Sequence, residues 1–179
     1  MKLEDQQAIQ LYFTDETGFS LTPSIPYGWI PITEQWSIRS AKDRVCNIFG
    51  LLSRKGGLIT YSTDQSINSN FIIECIDQIA DQIQMLTVLV MDNAPWHRSA
   101  LVKAKQTQWN EKGLYLFYLP TYSPQLNLIE TLWRKIKYEW LRPQDYISAE
   151  KLKKSLFSII TKYDDEFSVN ISKNFFCAS

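Results

Sequence analysis

Leu119–Trp133 reads LPTYSPQLNLIETLW, and its interpretation decides what the other segments are for. Thr121-Tyr122-Ser123-Pro124 breaks an apolar run, and Asn127 then opens a helix with Glu130 in its first turn. Ile129, Leu132, Trp133, Ile136 and Trp140 recur at helical spacing as one apolar stripe. At about 100° per residue, Glu130 falls just off that stripe, on the flank of Arg134 and Lys137. A carboxylate at the edge of a buried face, with two cations beside it, suits a metal-ligating acid that faces a phosphate backbone. The same Asn127-x-x-Glu130 spacing also has the form of a capping box, in which Glu130 would bond back to the start of the helix. Both readings stand on this stretch alone.

Working outward, the whole chain bounds the choice. Its 179 residues, 45% of them hydrophobic, suffice for one domain over 1–179 with a full core. No apolar run approaches the roughly 20 residues that span a bilayer, and MKLEDQQAIQ lacks a signal-peptide core. The expectation is a soluble, cytoplasmic protein with no membrane partner. Cys46, Cys75 and Cys177 are scattered and odd in number, which argues against a disulfide framework. His97 is the single histidine, so a zinc site built from several His or Cys ligands is excluded. A metal here must be held by carboxylates, which selects Mg²⁺ or Mn²⁺. The 19 basic and 19 acidic residues cancel overall, unlike a stand-alone nucleic-acid binder. Residues 134–154 nevertheless carry seven Lys or Arg against three acids, a local basic run.

In chain order, Ile9–Thr14 reads as a strand ending at Asp15-Glu16, followed by a Pro/Gly-rich loop over Thr17–Trp36. Val45–Ser53 and Leu58–Thr63 read as strands joined by a hairpin at Arg54-Lys-Gly-Gly57. A helix over Ser69–Ile83, a buried strand at Leu86–Met91, a helix over Ser99–Trp109 and a buried strand at Leu114–Leu119 come next. The Asn127 helix and a last helix over Ser148–Tyr163 complete the pattern. A strand meander followed by strands alternating with helices predicts an α/β fold, a mixed five-stranded sheet with helices on both faces.

In such sheets ligands gather at the carboxyl ends of the strands. Asp15 and Asp92 each follow a predicted strand, and they converge if those strands are parallel neighbours. Taken singly, Asp15 is also a turn former, Glu16 an exposed charge, and Asp92-Asn93 a turn pair or helix cap. Taken with Glu130, the three carboxylates match two-metal phosphoryl chemistry, in which acids flank ions roughly 3.5–4 Å apart.

FTDETGF at 13–19, VMDNAPWH at 90–97 and the opening stretch at 119–133 resemble the three catalytic blocks of DDE transposases. The closest group is the bacterial insertion-sequence family IS630, related to Tc1/mariner. The resemblance implies an RNase H-like fold, with Asp15, Asp92 and Glu130 as catalytic ligands of two Mg²⁺ or Mn²⁺ ions. It also implies metal-dependent DNA cleavage and strand transfer by a dimer acting on transposon ends and a TA target, associated with the nucleoid when bound. His97, Arg134 and Lys137 are the candidate DNA contacts. One departure is Leu128, where the family usually has Pro. Family members carry a helix-turn-helix region before the first block. Only 14 residues precede Asp15 here, so a separate N-terminal helix-turn-helix half is expected as a partner. The alternatives are a hydrolytic nuclease of RNase H-like fold and an inactive remnant that only binds DNA.

Overall fold

A computed structural model of the chain describes residues 2–24, 44–120 and 123–169. After a short helix α1 (Lys2–Asp5), three strands form a meander: β1 (Gln10–Ser20), β2 (Arg44–Ser53) and β3 (Leu58–Thr63). Helix α2 (Ser69–Gln82) then leads to β4 (Thr87–Met91), and α3 (Ala100–Glu111) to β5 (Leu114–Tyr118). Helices α4 (Leu128–Lys135) and α5 (Ala149–Thr161) follow. The strand order is β3-β2-β1-β4-β5, antiparallel through the meander and parallel from β1 to β4 to β5. This is the mixed five-stranded sheet that the sequence predicts. Among the described residues, no helix is long and apolar enough to cross a membrane.

Strand alternation divides the core in two. Phe13, Ile48, Leu52 and Val90 point to one face, where Ile129, Leu132 and Trp133 of α4 and Leu152 and Leu156 of α5 cover them. Tyr12, Phe49, Leu51 and Leu89 point to the other, under Ile72, Ile76 and Ile79 of α2 and Val102 and Trp109 of α3. Side chains cap three of these helices: Asn68 bonds the Phe71 N–H, Ser99 the Val102 N–H and Ser148 the Lys151 N–H. The β2–β3 turn needs Gly56 and Gly57, whose φ values of +90° and +81° side-chain-bearing residues rarely adopt.

Three expectations change. Strand β1 does not end at Thr14 but runs on through Asp15 and Glu16 to Ser20, because antiparallel pairing with β2 continues through Ser20. Its parallel pairing with β4 stops at Phe13–Val90, so Asp15 still lies just beyond that part of the sheet. The helix expected to reach Trp140 passes at Ile136 into a π-helical turn, closed by the Leu141 N–H on the Ile136 carbonyl. The loop expected over Thr17–Trp36 gives up Thr17–Ser20 to β1. Its remainder from 25 onward, and Thr121-Tyr122 of the turn before α4, lie outside the described residues.

Gly50 faces Asp15 in the β1–β2 register. A Cβ on Gly50 would lie 2.5 Å from Trp133 Cζ2 and 2.9 Å from Ile129 Cδ1. The bare backbone of β2 at this point therefore lets α4 lie close against the sheet beside Asp15.

Candidate active site

Three elements bring the predicted acids to one end of the sheet. Asp15 sits in β1 just past the last β1–β4 pair, Asp92 directly follows β4, and Glu130 is in the first turn of α4. Hydrogen bonds tie the elements together. The Thr14 hydroxyl donates to the Val90 carbonyl at 3.2 Å, fixing β1 to β4. Asn93 Nδ2 donates to the Leu119 carbonyl, fixing the end of β4 to the chain leaving β5. Asn127 Nδ2 donates to the Thr14 carbonyl at 2.9 Å, fixing the start of α4 to β1.

The capping box that the spacing allows does not form. Asn127 is buried and makes no side-chain cap bond to its own helix. Its Nδ2 donates to a strand 113 positions away, and among the described residues its buried Oδ1 accepts nothing.

Adjacent residues of a strand point to opposite faces, and this splits Asp15 from Glu16. Asp15 lies on the α4 face. Burial pushes its carboxyl up to about 8, and the negative charges of Glu16, Glu130 and Asp92 add to the push. Burial also raises Glu130, helped by Asp92. Glu16 turns to the opposite face. It is not the exposed charge that the sequence allows, because its carboxylate sits 2.6 Å from His97 Nε2 and its side chain is only 13% exposed. His97 Nδ1 faces Asp92 Oδ1 at 2.8 Å.

His97 is thus a bridge, which corrects its assignment as a DNA contact. Its ring is fully buried and both nitrogens are engaged. Burial alone would lower the imidazole, but the hydrogen bonds and charges of Asp92 and Glu16 outweigh it and raise the pKa to about 9. At neutral pH an imidazolium lies between two carboxylates. The hydrogen bond to His97 holds Asp92 below the usual carboxylate range against the opposing effect of burial, helped by the Ala94 N–H on Oδ1. No sequence pattern flags Glu16, since its partner lies 81 positions on.

Of the two other candidate contacts, Lys137 is half-buried and feels the Asp15 charge, and Arg134 is exposed. The Lys137 ammonium lies 5.3 Å over the Phe19 ring, lowered by burial and partly restored by the Asp15 charge.

The donors available here are carboxylate oxygens that repel one another, and a hard divalent cation is the charge that relieves such repulsion. Among the described residues, no group of three or more His, Cys, Asp or Glu side chains is arranged to hold a metal ion. The acids suit such an ion by donor type, and Asp15 is raised to about 8 by burial and then by the charges of its acidic neighbours.

The fold is similar to that of Mos1 in its strand transfer complex, with TM-score 0.55 and 15% identity over 93% of this chain and 52% of that one. It is similar also to the mariner Mos1 paired end complexes, with Mn (TM-score 0.54, 15% identity, 92% of this chain and 52% of that one) and with Mg (0.52, 15%, 90% and 50%). The chain spans about half the length of these proteins, and the likeness establishes the RNase H-like fold. No curated protein matches the chain. The model of the DDE superfamily endonucleases matches residues 10–153, from the first residue of β1 into α5 and across all three acids, and the chain belongs to that family.

Proposed function

We propose that this chain is the catalytic domain of a DNA transposase of the IS630/Tc1/mariner kind, with Asp15, Asp92 and Glu130 holding two Mg²⁺ or Mn²⁺ ions. The observation that supports this best is the raised carboxyl of Asp15, set among Glu130 and Asp92 at the carboxyl end of a parallel strand pair. Ions bound there would supply charge neutralisation at a DNA phosphate and activation of the attacking oxygen.

The chain's own residues prepare that chemistry. Asp15 holds a proton at neutral pH and gives it up when positive charge arrives. The Glu16–His97 pair fixes the Asp92 carboxylate through Oδ1, and among the described residues nothing takes its Oδ2. Asn127 sets where Glu130 stands relative to Asp15. The DNA would be the transposon ends and a TA target, bound by a dimer with a separate helix-turn-helix half. The strand transfer and paired end complexes of Mos1 support that choice of substrate.

The test is metal-dependent cleavage of end-containing DNA by the wild-type chain and by Glu130→Gln, with a helix-turn-helix half supplied. Gln keeps the shape but loses the charge that holds a divalent ion. Expected are an intact fold and a fall in cleavage of several orders of magnitude, with joined strands among the wild-type products. Nicks without joining would support a hydrolytic nuclease instead. Wild-type cleavage by a folded Glu130→Gln protein would remove Glu130 from the site.

A further inference from the structure

The basic run over 134–154 resolves into cations that are occupied and cations that are not. Lys135 pairs with Glu139 at 3.1 Å, and Lys153 with Asp64 at 2.7 Å. Lys137 is turned toward Asp15. Arg142, Lys151 and Lys154 have no ion partner among the described residues, and all three line one open groove of about 610 Å³.

One wall of the groove is α5, where Lys151, Lys154 and Ser158 follow one another at i, i+3 and i+7 and so share a face. The other side carries Trp140 and Arg142, and Phe167 stacks on Trp140 with ring centroids 5.0 Å apart. Two carboxylates also border the groove. Asp145 is occupied, by the Arg142 backbone N–H at 2.7 Å and the Ser155 hydroxyl at 2.8 Å. Glu150 lies in the first turn of α5, where the helix dipole favours an acid. Three cations therefore face two carboxylates, one of which is already hydrogen-bonded within the protein.

We propose that this groove binds the phosphodiester backbone of the same DNA duplex that the acid cluster acts on. This rests on the reading of the chain as a DNA-cleaving domain. Guanidinium, ammonium and hydroxyl groups are the donors that phosphate oxygens accept from, and the Trp140–Phe167 pair offers an apolar side for the sugars. An exposed, elongated row of cations suits a repeating polyanion better than a small anion, which needs enclosure. Trp140 follows Glu130 along one helical run by ten residues, roughly 15 Å. That distance corresponds to about four or five base pairs at 3.4 Å each. The acid cluster and the groove would therefore touch one duplex at two places.

The experiment compares the wild-type chain with the triple variants Arg142→Gln/Lys151→Gln/Lys154→Gln and Arg142→Lys/Lys151→Arg/Lys154→Arg. Fluorescence anisotropy in Ca²⁺ follows binding of a long labelled duplex of about 30 base pairs across a salt series. Each lost phosphate contact lowers the slope of log affinity against log salt by about 0.9. The Gln triple should lose about 2–3 units of slope and bind the long duplex at least about tenfold more weakly at low salt. The charge-conserving triple should keep the full slope. Mg²⁺-dependent nicking at saturating DNA should not change. A folded Gln triple with the wild-type slope overturns the groove, even where nicking confirms the domain's activity. Slope loss in the Gln triple, together with a wild-type chain that never cuts DNA with metal when a helix-turn-helix half is supplied, upholds the groove and overturns the catalytic reading.

Discussion

Asn127 and Thr14 are joined by a buried hydrogen bond, the amide of one donating to the carbonyl of the other at 2.9 Å. One residue away on the strand is Asp15, and three residues away on the helix is Glu130. The separation between those two carboxylates is therefore set by a backbone contact rather than by the acids themselves, which repel each other. Asn127→Ala should destabilise the fold by about 1–2 kcal/mol, the usual loss for a buried hydrogen bond. Cleavage should fall further, on the order of a hundredfold, because misplacing a reacting group by about 1 Å has that effect. Melting and single-turnover nicking measure the two separately. Wild-type nicking by Asn127→Ala would show that the bond is structural only.

Asp15→Asn removes one of several crowded carboxylates. Without metal, the variant should melt close to the wild-type midpoint near pH 7, where Asp15 already holds a proton, and above it once the pH passes about 8 and the wild-type carboxyl ionises among like charges. Millimolar Mg²⁺ or Mn²⁺ should raise the wild-type midpoint by mass action and leave that of Asp15→Asn flat. Equal shifts in both proteins would place the metal elsewhere.

Gly50→Ala forces a methyl against Trp133 and Ile129. Overpacking of this kind typically costs about 1–3 kcal/mol. The midpoint should fall by several degrees, and because α4 must move away from β2, cleavage should fall with it. Full activity at a lowered midpoint would separate packing from the site.

The Glu16–His97–Asp92 bridge predicts coupling. His97→Gln leaves the largely buried Glu16 carboxylate without its cation, a change that costs about 3–5 kcal/mol in buried pairs. Glu16→Gln should also destabilise. The double variant should cost less than the two single losses added together. Strict additivity in urea melts would show that the bridge carries no energy.

Asp77 links α2 to α3, accepting from the buried Trp109 indole at 2.8 Å and from Lys105 at 2.9 Å. Burial raises its carboxyl, but those hydrogen bonds and the charges of Lys105 and Lys112 outweigh burial and leave it below the ordinary value. A depressed folded pKa contributes stability above the unfolded value of about 3.9, lost as pH falls through the folded one. Asp77→Asn should therefore be less stable than wild type near pH 7, with the gap closing below about pH 4. Asp77→Ala, which orphans the indole N–H, should cost about 1–3 kcal/mol at every pH. A gap between wild type and Asp77→Asn that stays constant from pH 7 to pH 3 would contradict the assignment.

What the sequence reveals here follows the range of the forces involved. The apolar run at Leu86–Met91 and the helical stripe from Ile129 are local patterns, and strand order and helix positions follow from them. That Asp15 and Asp92 each follow a strand is legible in the same way, but the parallel β1–β4 pairing that brings them together is not a local pattern. The Asn127-x-x-Glu130 spacing reads locally as a cap, and a contact from β1 overrides it. The polar pair Asp15-Glu16 looks like the end of a strand, yet β2 supplies the partners that carry β1 to Ser20. Glu16 and His97 become one unit only when the loop after β4 returns to β1. Each of these differences rests on a partner that is distant in sequence.

The pleat of β1 has a consequence for how this chain tolerates change. Asp15 and Glu16 are chemically near-equivalent neighbours, but one looks toward α4 and the other toward His97. Neither can serve as a spare for the other. Inserting or deleting a single residue upstream in β1 would turn each to the opposite face, taking Asp15 out of the acid cluster and Glu16 away from the imidazole. Composition, charge and strand propensity would be almost unchanged, yet both the cluster and the bridge would be lost together. The strand here behaves as a reading frame, and Gly50, which only fits opposite Asp15 with α4 pressed upon it, is the mark that keeps the frame in phase.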